Sequence, residues 1–124
     1  MVSDELPIVN EWKETGDDMG KVALIVQFEI KPGKRDAFLA HIRPHAANTL
    51  AEVEGCERFD VLVPKEAQFD VPDRVADIDH VFLYEVYRDE SALQAHLESS
   101  RVAGTRKGYA DLIESRKIIR CAVN

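Results

Sequence analysis

Apolar positions alternate from Val22 to Ile30, with Val22, Leu24, Val26, Phe28 and Ile30 on one face and Ala23, Ile25, Gln27 and Glu29 on the other. A period of two predicts a strand with one firmly apolar face. Lys31-Pro32-Gly33-Lys34 follows, placing Pro and Gly where a tight turn needs a fixed φ and then a positive one. From Arg35 to about Val53 the period changes: Phe38, Ile42, Ala46, Leu50 and Val53 recur at helical spacing, and Gly55 ends the run. Pro44 lies inside this pattern and predicts a kink, or a restart with Pro44 in the first turn. Cys56 to Val63 reads as a second strand and His80 to Arg88 as a third, rich in Val, Phe, Leu and Tyr. Asp89 occupies an N-cap position ahead of Ala92, Leu93, His96 and Leu97 at helical spacing. Gly104 and Gly108 predict only short helical pieces up to about Ser115, and Lys117 to Val123 is the last strand.

The order β-α-β-β-α-β is the ferredoxin-like split βαβ arrangement, an α+β class with its helices on one face of an antiparallel sheet. The other face needs a cover, and a second copy supplies it most simply, so a symmetric homodimer packed sheet to sheet is expected. Residues 1–20 show no sustained period and end in Gly16-Asp17-Asp18, which reads as an N-terminal acidic arm ahead of a single domain at 21–124. The only tryptophan, Trp12, lies in this arm near Ile8 and Val9. It can anchor the arm on its own domain or on a partner subunit; otherwise the arm is a mobile tail.

Composition narrows the class. A chain of 124 residues, 45% hydrophobic and 31% charged, is one ordinary globular domain. No apolar run approaches the roughly 20 residues of a membrane span. The acidic start, Met1-Val2-Ser3-Asp4-Glu5, lacks the pattern of a secretory signal, so a cytoplasmic protein with no membrane partner is expected. Cys56 and Cys121 exclude a disulfide scaffold and lack metal-ligand spacing. The net charge of −7 is unevenly spread: residues 1–20 hold six acids against Lys13, and residues 64–79 hold five against Lys65 and Arg74. The remainder is close to neutral, with no clustered basic face, which argues against nucleic acid as a partner.

Several side chains can carry chemistry. His96 lies one helical turn after Ala92, next to the face that packs on the sheet, where an imidazole can take a proton from a phenol or an enolisable carbon near neutral pH. Glu85 and Tyr87 share one face of the third strand, and Glu85 stands among Val81, Leu83 and Tyr87. A carboxylate on an apolar face is either paired or functional: it orients His96, acts as the base, or forms an ion pair with a basic residue of the last strand. His41, His45, Asn48 and Glu52 fall within roughly 60° of one another beside the apolar stripe, a polar edge suited to a pocket mouth. His41 and His45 also have the spacing of a metal pair, but a third ligand is missing and Pro44 distorts the spacing, so no metal is expected. Arg58 can hold an anionic group such as a phosphate through paired hydrogen bonds, or form a surface ion pair. Phe28, on the apolar face of the first strand, joins His41, His45, Asn48 and Arg58 as a candidate substrate contact.

Three motifs carry a family resemblance. Gly55-Cys56-Glu57-Arg58-Phe59-Asp60-Val61, then Tyr84-Glu85-Val86-Tyr87, then Ala92-Leu93-Gln94-Ala95-His96 resemble the antibiotic biosynthesis monooxygenases, which are dimeric α+β barrels. The likeness runs from about Lys21 to Ala122 with all elements in order. It implies a homodimer with a small-molecule pocket between helices and sheet, and His96, Glu85 and Tyr87 as the catalytic group. Similar proteins include cofactor-independent oxygenases of phenols and quinols, heme-degrading oxygenases, and an isomerase of a phosphorylated signalling sugar derivative; one fold commonly hosts several chemistries. The heme-degrading pattern has an asparagine on the first strand, a tryptophan where His96 stands and a later histidine. This chain has none of these, which argues against that chemistry. The second histidine often found after the helix histidine is replaced by Arg101, and Val53-Glu54-Gly55-Cys56 departs from the usual Glu-Pro-Gly-Cys turn. No nucleotide-binding glycine pattern or P-loop appears, so no cofactor is expected. The resemblance thus points to a monooxygenase acting with molecular oxygen on a small quinol-like aromatic. The alternatives are an isomerase of a small phosphorylated keto-sugar derivative, in which Arg58 holds the phosphate, and a non-catalytic small-molecule-binding dimer.

Overall fold

The computed structural model describes residues 20–65 and 78–124. Residues 1–19, with Trp12, and residues 66–77 of the acidic loop lie outside the described residues. In chain order the elements are β1 (Val22–Ile30), α1 (Arg35–Glu52), β2 (Cys56–Leu62), β3 (His80–Tyr87), α2 (Glu90–Leu97), α3 (Ser100–Tyr109), a 3-10 turn (Ala110–Leu112) and β4 (Ile113–Ala122). The sheet is four-stranded and antiparallel in the order β2-β3-β1-β4, the ferredoxin-like α+β arrangement.

Register fixes what each face holds. Leu24 lies opposite Glu85 on β3, and Phe28 lies opposite Arg116 on β4, so these side chains share the face that meets the helices. On β2 the pairing shifts between Cys56 and Arg58, so that Cys56 faces Tyr87 and Phe59 faces Glu85 although the two lie three positions apart. This irregularity puts both Cys56 and Phe59 on the helix side. The core forms where Val22, Leu24, Val26, Phe28 and Ile30 meet Phe38, Leu39, Ile42 and Ala46 of α1, with Leu93 of α2 and Tyr109 of α3. Phe28, Phe38 and Tyr109 pack with ring centroids 4.7 to 5.3 Å apart and so join a strand to two helices.

Gly33 and Gly55 have φ of +77° and +90°, as their turns require. Gly55 has a second constraint: a Cβ there would stand 2.6 Å from the Cβ of Ala92, so the α1–β2 turn touches the start of α2. That start is capped by Asp89, whose carboxylate accepts from the Ala92 N–H at 2.9 Å.

Of the two outcomes expected at Pro44, the restart does not occur, because α1 is one helix from Arg35 to Glu52 with Pro44 inside it. Pro44 and Ala40 both lie on the exposed side, where the carbonyl left without an N–H partner can meet water. Nor do Gly104 and Gly108 break α3, which is continuous from Ser100 to Tyr109, and β4 begins at Ile113 rather than Lys117. A helical glycine costs about 1 kcal/mol relative to alanine, less than burying Val102 and Tyr109 returns.

On the face away from the helices, Ile25 lies between Tyr84 and Ile119. Ile25, Leu62 and Ile119 are 40%, 48% and 60% exposed there. Among the described residues no helix is long and apolar enough to cross a membrane.

Candidate active site

Between the sheet and the helices lies a cavity whose walls are mostly apolar, including Leu24, Val26, Phe28, Phe59 and Leu83. It contains about 430 Å³ of empty space counted out to its open mouth, but only about 40 Å³ in which the centre of a water molecule fits. Glu85, His96 and His45 reach this space from β3, α2 and α1.

Each polar group arrives by a local rule. Glu85 and Tyr87 are two apart on a strand and therefore share a face; the Tyr87 hydroxyl donates to Glu85 Oε1 at 2.7 Å. His96 follows Ala92 and Leu93 on the buried side of α2, and its ring stacks on Tyr87 with centroids 5.4 Å apart. His45 shares the buried stripe of Phe38, Ile42, Ala46 and Thr49, 5.6 Å from the His96 ring. Phe59 presents its edge or face to both imidazoles, at 5.5 Å from His45 and 6.3 Å from His96. Thr105 Oγ1 stands 3.1 Å from His45 Nδ1. His96 Nδ1 is buried and has no hydrogen-bond partner among the described residues.

Burial sets the protonation states. Desolvation raises the Glu85 carboxyl from its ordinary 4.5 to about 7, against the opposing hydrogen bond from Tyr87 and the positive charge of Arg106. Desolvation pushes His96 down to about 4, reinforced by His45, Arg101 and Arg106, and it lowers His45 in the same way, helped by both arginines. Both imidazoles are therefore neutral near pH 7. Tyr87 is raised by burial and by the adjacent Glu85, and remains a phenol donor. Burial also raises the Cys56 thiol, which keeps it protonated beside Tyr87. The cavity wall thus carries a carboxyl raised to about 7, held from behind by the Tyr87 phenol, and two neutral imidazoles, a set able to accept a proton and stabilise a developing substrate anion.

Not every candidate residue reaches this site. His96, Glu85, His45 and Phe28 line the cavity, and Tyr87 lies behind Glu85 and His96. Three do not line it. His41 is exposed and lies against α3, where a Cβ on Gly108 would stand 3.0 Å from its Nδ1, so it does not converge with His45. Asn48 is exposed. Arg58 lies on the far face of the sheet, paired with Asp60 at 2.8 Å and over the Tyr84 ring at 5.6 Å. The shifted register explains this, because it turns Phe59 rather than Arg58 inward. Glu85 forms no ion pair with the last strand; its partner is Tyr87.

Sequence reasoning overlooked Val102, Thr105, Arg106 and Tyr109, which line the cavity from α3, and Arg116 from β4. The spacing 102, 105, 106, 109 is itself a helical stripe, obscured by reading Gly104 and Gly108 as breaks.

The protein is thus of the ferredoxin-like α+β class, with a small cavity under its helices that holds a buried carboxyl and two imidazoles. A model of the family described as antibiotic biosynthesis monooxygenase matches residues 21–108, and the chain belongs to that family. Among solved structures, a Nitrosomonas europaea protein named for this family is 28% identical, with a TM-score of 0.68 over 83% of this chain and 90% of that one. A Mycobacterium tuberculosis protein is 24% identical with a TM-score of 0.68, covering 84% of this chain and 95% of that one. A Caulobacter crescentus protein, 14% identical, shares the fold at a TM-score of 0.73 over 85% of this chain and 91% of that one. No curated protein matches the sequence.

Proposed function

We propose that the protein is a cofactor-independent monooxygenase of a small, hydroquinone-like aromatic substrate, working as a homodimer. The carrying observation is the buried Glu85–Tyr87 pair, bonded at 2.7 Å and open to an apolar cavity beside His96. A carboxylate whose conjugate acid titrates near 7 is a better match to a neutral-pH general base than an imidazole near 4. Glu85 therefore removes a substrate hydroxyl proton, Tyr87 steadies the carboxylate, and the neutral imidazole of His96 hydrogen-bonds the substrate from the cavity wall. His45, oriented by Thr105, and Phe28 contact the ring system.

The substrate anion then reduces dioxygen. One oxygen atom enters a ring carbon, and oxidation of the hydroquinone to the quinone supplies the two electrons that convert the other to water. No external reductant is consumed. The space inside the mouth is narrow, so binding a ring requires long side chains at the mouth to swing aside. Homodimer formation through Ile25, Tyr84 and Ile119 covers the apolar row on the far face of the sheet.

The test is oxygen consumption by purified, metal-free protein across a panel of hydroquinones and anthrone-like phenols, with Glu85→Gln and His96→Ala beside the parent. Uptake that rises with pH around 7 and is lost in Glu85→Gln is expected. Uptake unaffected by either substitution refutes the assignment of the site. Silence across the panel by a folded protein refutes the oxygenase reading and favours a binding role or proton transfer on another substrate.

A further inference from the structure

The cavity has an uneven distribution of charge. Its interior holds one carboxyl group, Glu85, which is half neutralised near pH 7 and already bonded to Tyr87. Its lining also includes two guanidinium groups, Arg106 from α3 and Arg116 from β4. Arg116 is exposed and donates to the Tyr109 hydroxyl at 3.0 Å, one helical turn beyond Arg106. Arg106 is half-buried and makes no hydrogen bond or ion pair among the described residues, although its charge is felt by His45, Glu85 and His96.

Two other arginines near the helices are engaged elsewhere. Arg101 pairs with Glu52 and Arg120 with Glu90. Arg106 lines the cavity without a direct hydrogen bond or ion pair, and the one carboxyl that feels its charge, Glu85, is already bonded to Tyr87, so its donors are free to meet an incoming anion. The rest of the lining is largely aromatic and aliphatic, including Phe28, Phe59, Val26 and Leu83, which suits a flat ring rather than a hydroxylated sugar.

We propose that the cavity selects aromatic acids: the ring enters between Phe28 and Phe59, and a carboxylate on the substrate is held by Arg106 and Arg116. This deepens the functional reading above, since it rests on the same cavity being the substrate site. It assigns the anion-binding task to Arg106 and Arg116, not to Arg58 on the far face. Arg106 is the principal contact; Arg116 retains a bond to Tyr109 and adds a second donor.

The proposal is tested by calorimetric titration with 2-naphthoate and its neutral counterpart 2-naphthamide, neither of which is a hydroquinone. The parent protein should bind the naphthoate about tenfold or more tightly than the amide, the range for a hydrogen bond to a charged group. Arg106→Gln should lose most of that preference while its affinity for the amide stays unchanged, and raised salt should narrow the difference. Arg116→Gln should lose a smaller part, and Arg43→Gln, an exposed change on α1, should lose none. Equal affinities for the two ligands in the parent, or a preference that survives Arg106→Gln, overturns the proposal and leaves the cavity as a site for neutral aromatics. Failure of both ligands to bind a folded parent overturns the reading of the cavity itself. Inorganic phosphate that binds as tightly as the naphthoate also overturns it, because the ring would then contribute nothing.

Discussion

Replacing Glu85 by Gln removes a charge that the fold tolerates poorly while keeping an oxygen to accept the Tyr87 hydroxyl. In the parent the carboxyl is raised from 4.5 to about 7 by burial. The folded state therefore holds the proton more tightly than the unfolded chain, and the associated stability is full below about pH 4.5 and declines as pH rises through 7. At about 1.4 kcal/mol per pH unit the whole effect is on the order of 3 kcal/mol, of which about 2 kcal/mol or more develops between pH 5 and pH 8. That is a large part of the 5 to roughly 15 kcal/mol by which domains are stable. The glutamine amide N–H₂ has its own cost if unpaired, of about 1 to 3 kcal/mol, but that cost does not vary with pH. The informative quantity is thus the change in the parent–variant difference between pH 5 and pH 8, measured by urea unfolding with a common slope. The variant should gain about 2 kcal/mol or more on the parent over that interval. Parallel pH dependences would refute the reasoning, since they would mean that Glu85 ionises in the folded state as freely as in the unfolded one.

Three further outcomes follow from the same packing. His96, lowered from 6.5 to about 4, should make the parent lose stability as pH falls from 6.5 towards 4, and His96→Gln should flatten that acid limb in urea melts; an unchanged limb would assign it elsewhere. Gly55→Ala should cost about 2 to 4 kcal/mol in the same assay, from a positive φ together with a Cβ 2.6 Å from Ala92, and near-parent stability would count against the close approach of that turn to α2. Gly104→Ala, within α3 and with nothing inside 4 Å of the added Cβ, should raise stability by about 0.5 to 1 kcal/mol, whereas a loss would argue that the helix is broken there.

The strands, the first helix and the capped second helix were legible in the sequence because each follows from local rules. The alternation Val22 to Ile30, the stripe Phe38, Ile42, Ala46 and the cap Asp89 act over a few residues, and the structure contains all three. The common face of Glu85 and Tyr87 was equally local, a matter of strand period. Glycine misled where its intrinsic penalty was outweighed by burial elsewhere: α3 passes through Gly104 and Gly108. What no periodicity contains is pairing between distant segments. The shift between Cys56 and Arg58 sends Phe59 inward and Arg58 outward, and it is defined only by β3 lying alongside β2. His41 and His45 looked alike on a helical wheel, and only the arrival of α3 sends His41 against Gly108 and leaves His45 in the cavity beside Thr105. The raised Glu85 and lowered His96 are likewise products of tertiary burial, since desolvation depends on what surrounds a group and not on its neighbours in the chain. The sequence by itself determined the elements and most of the chemistry available to them; the tertiary structure decided which groups meet, and in which protonation state.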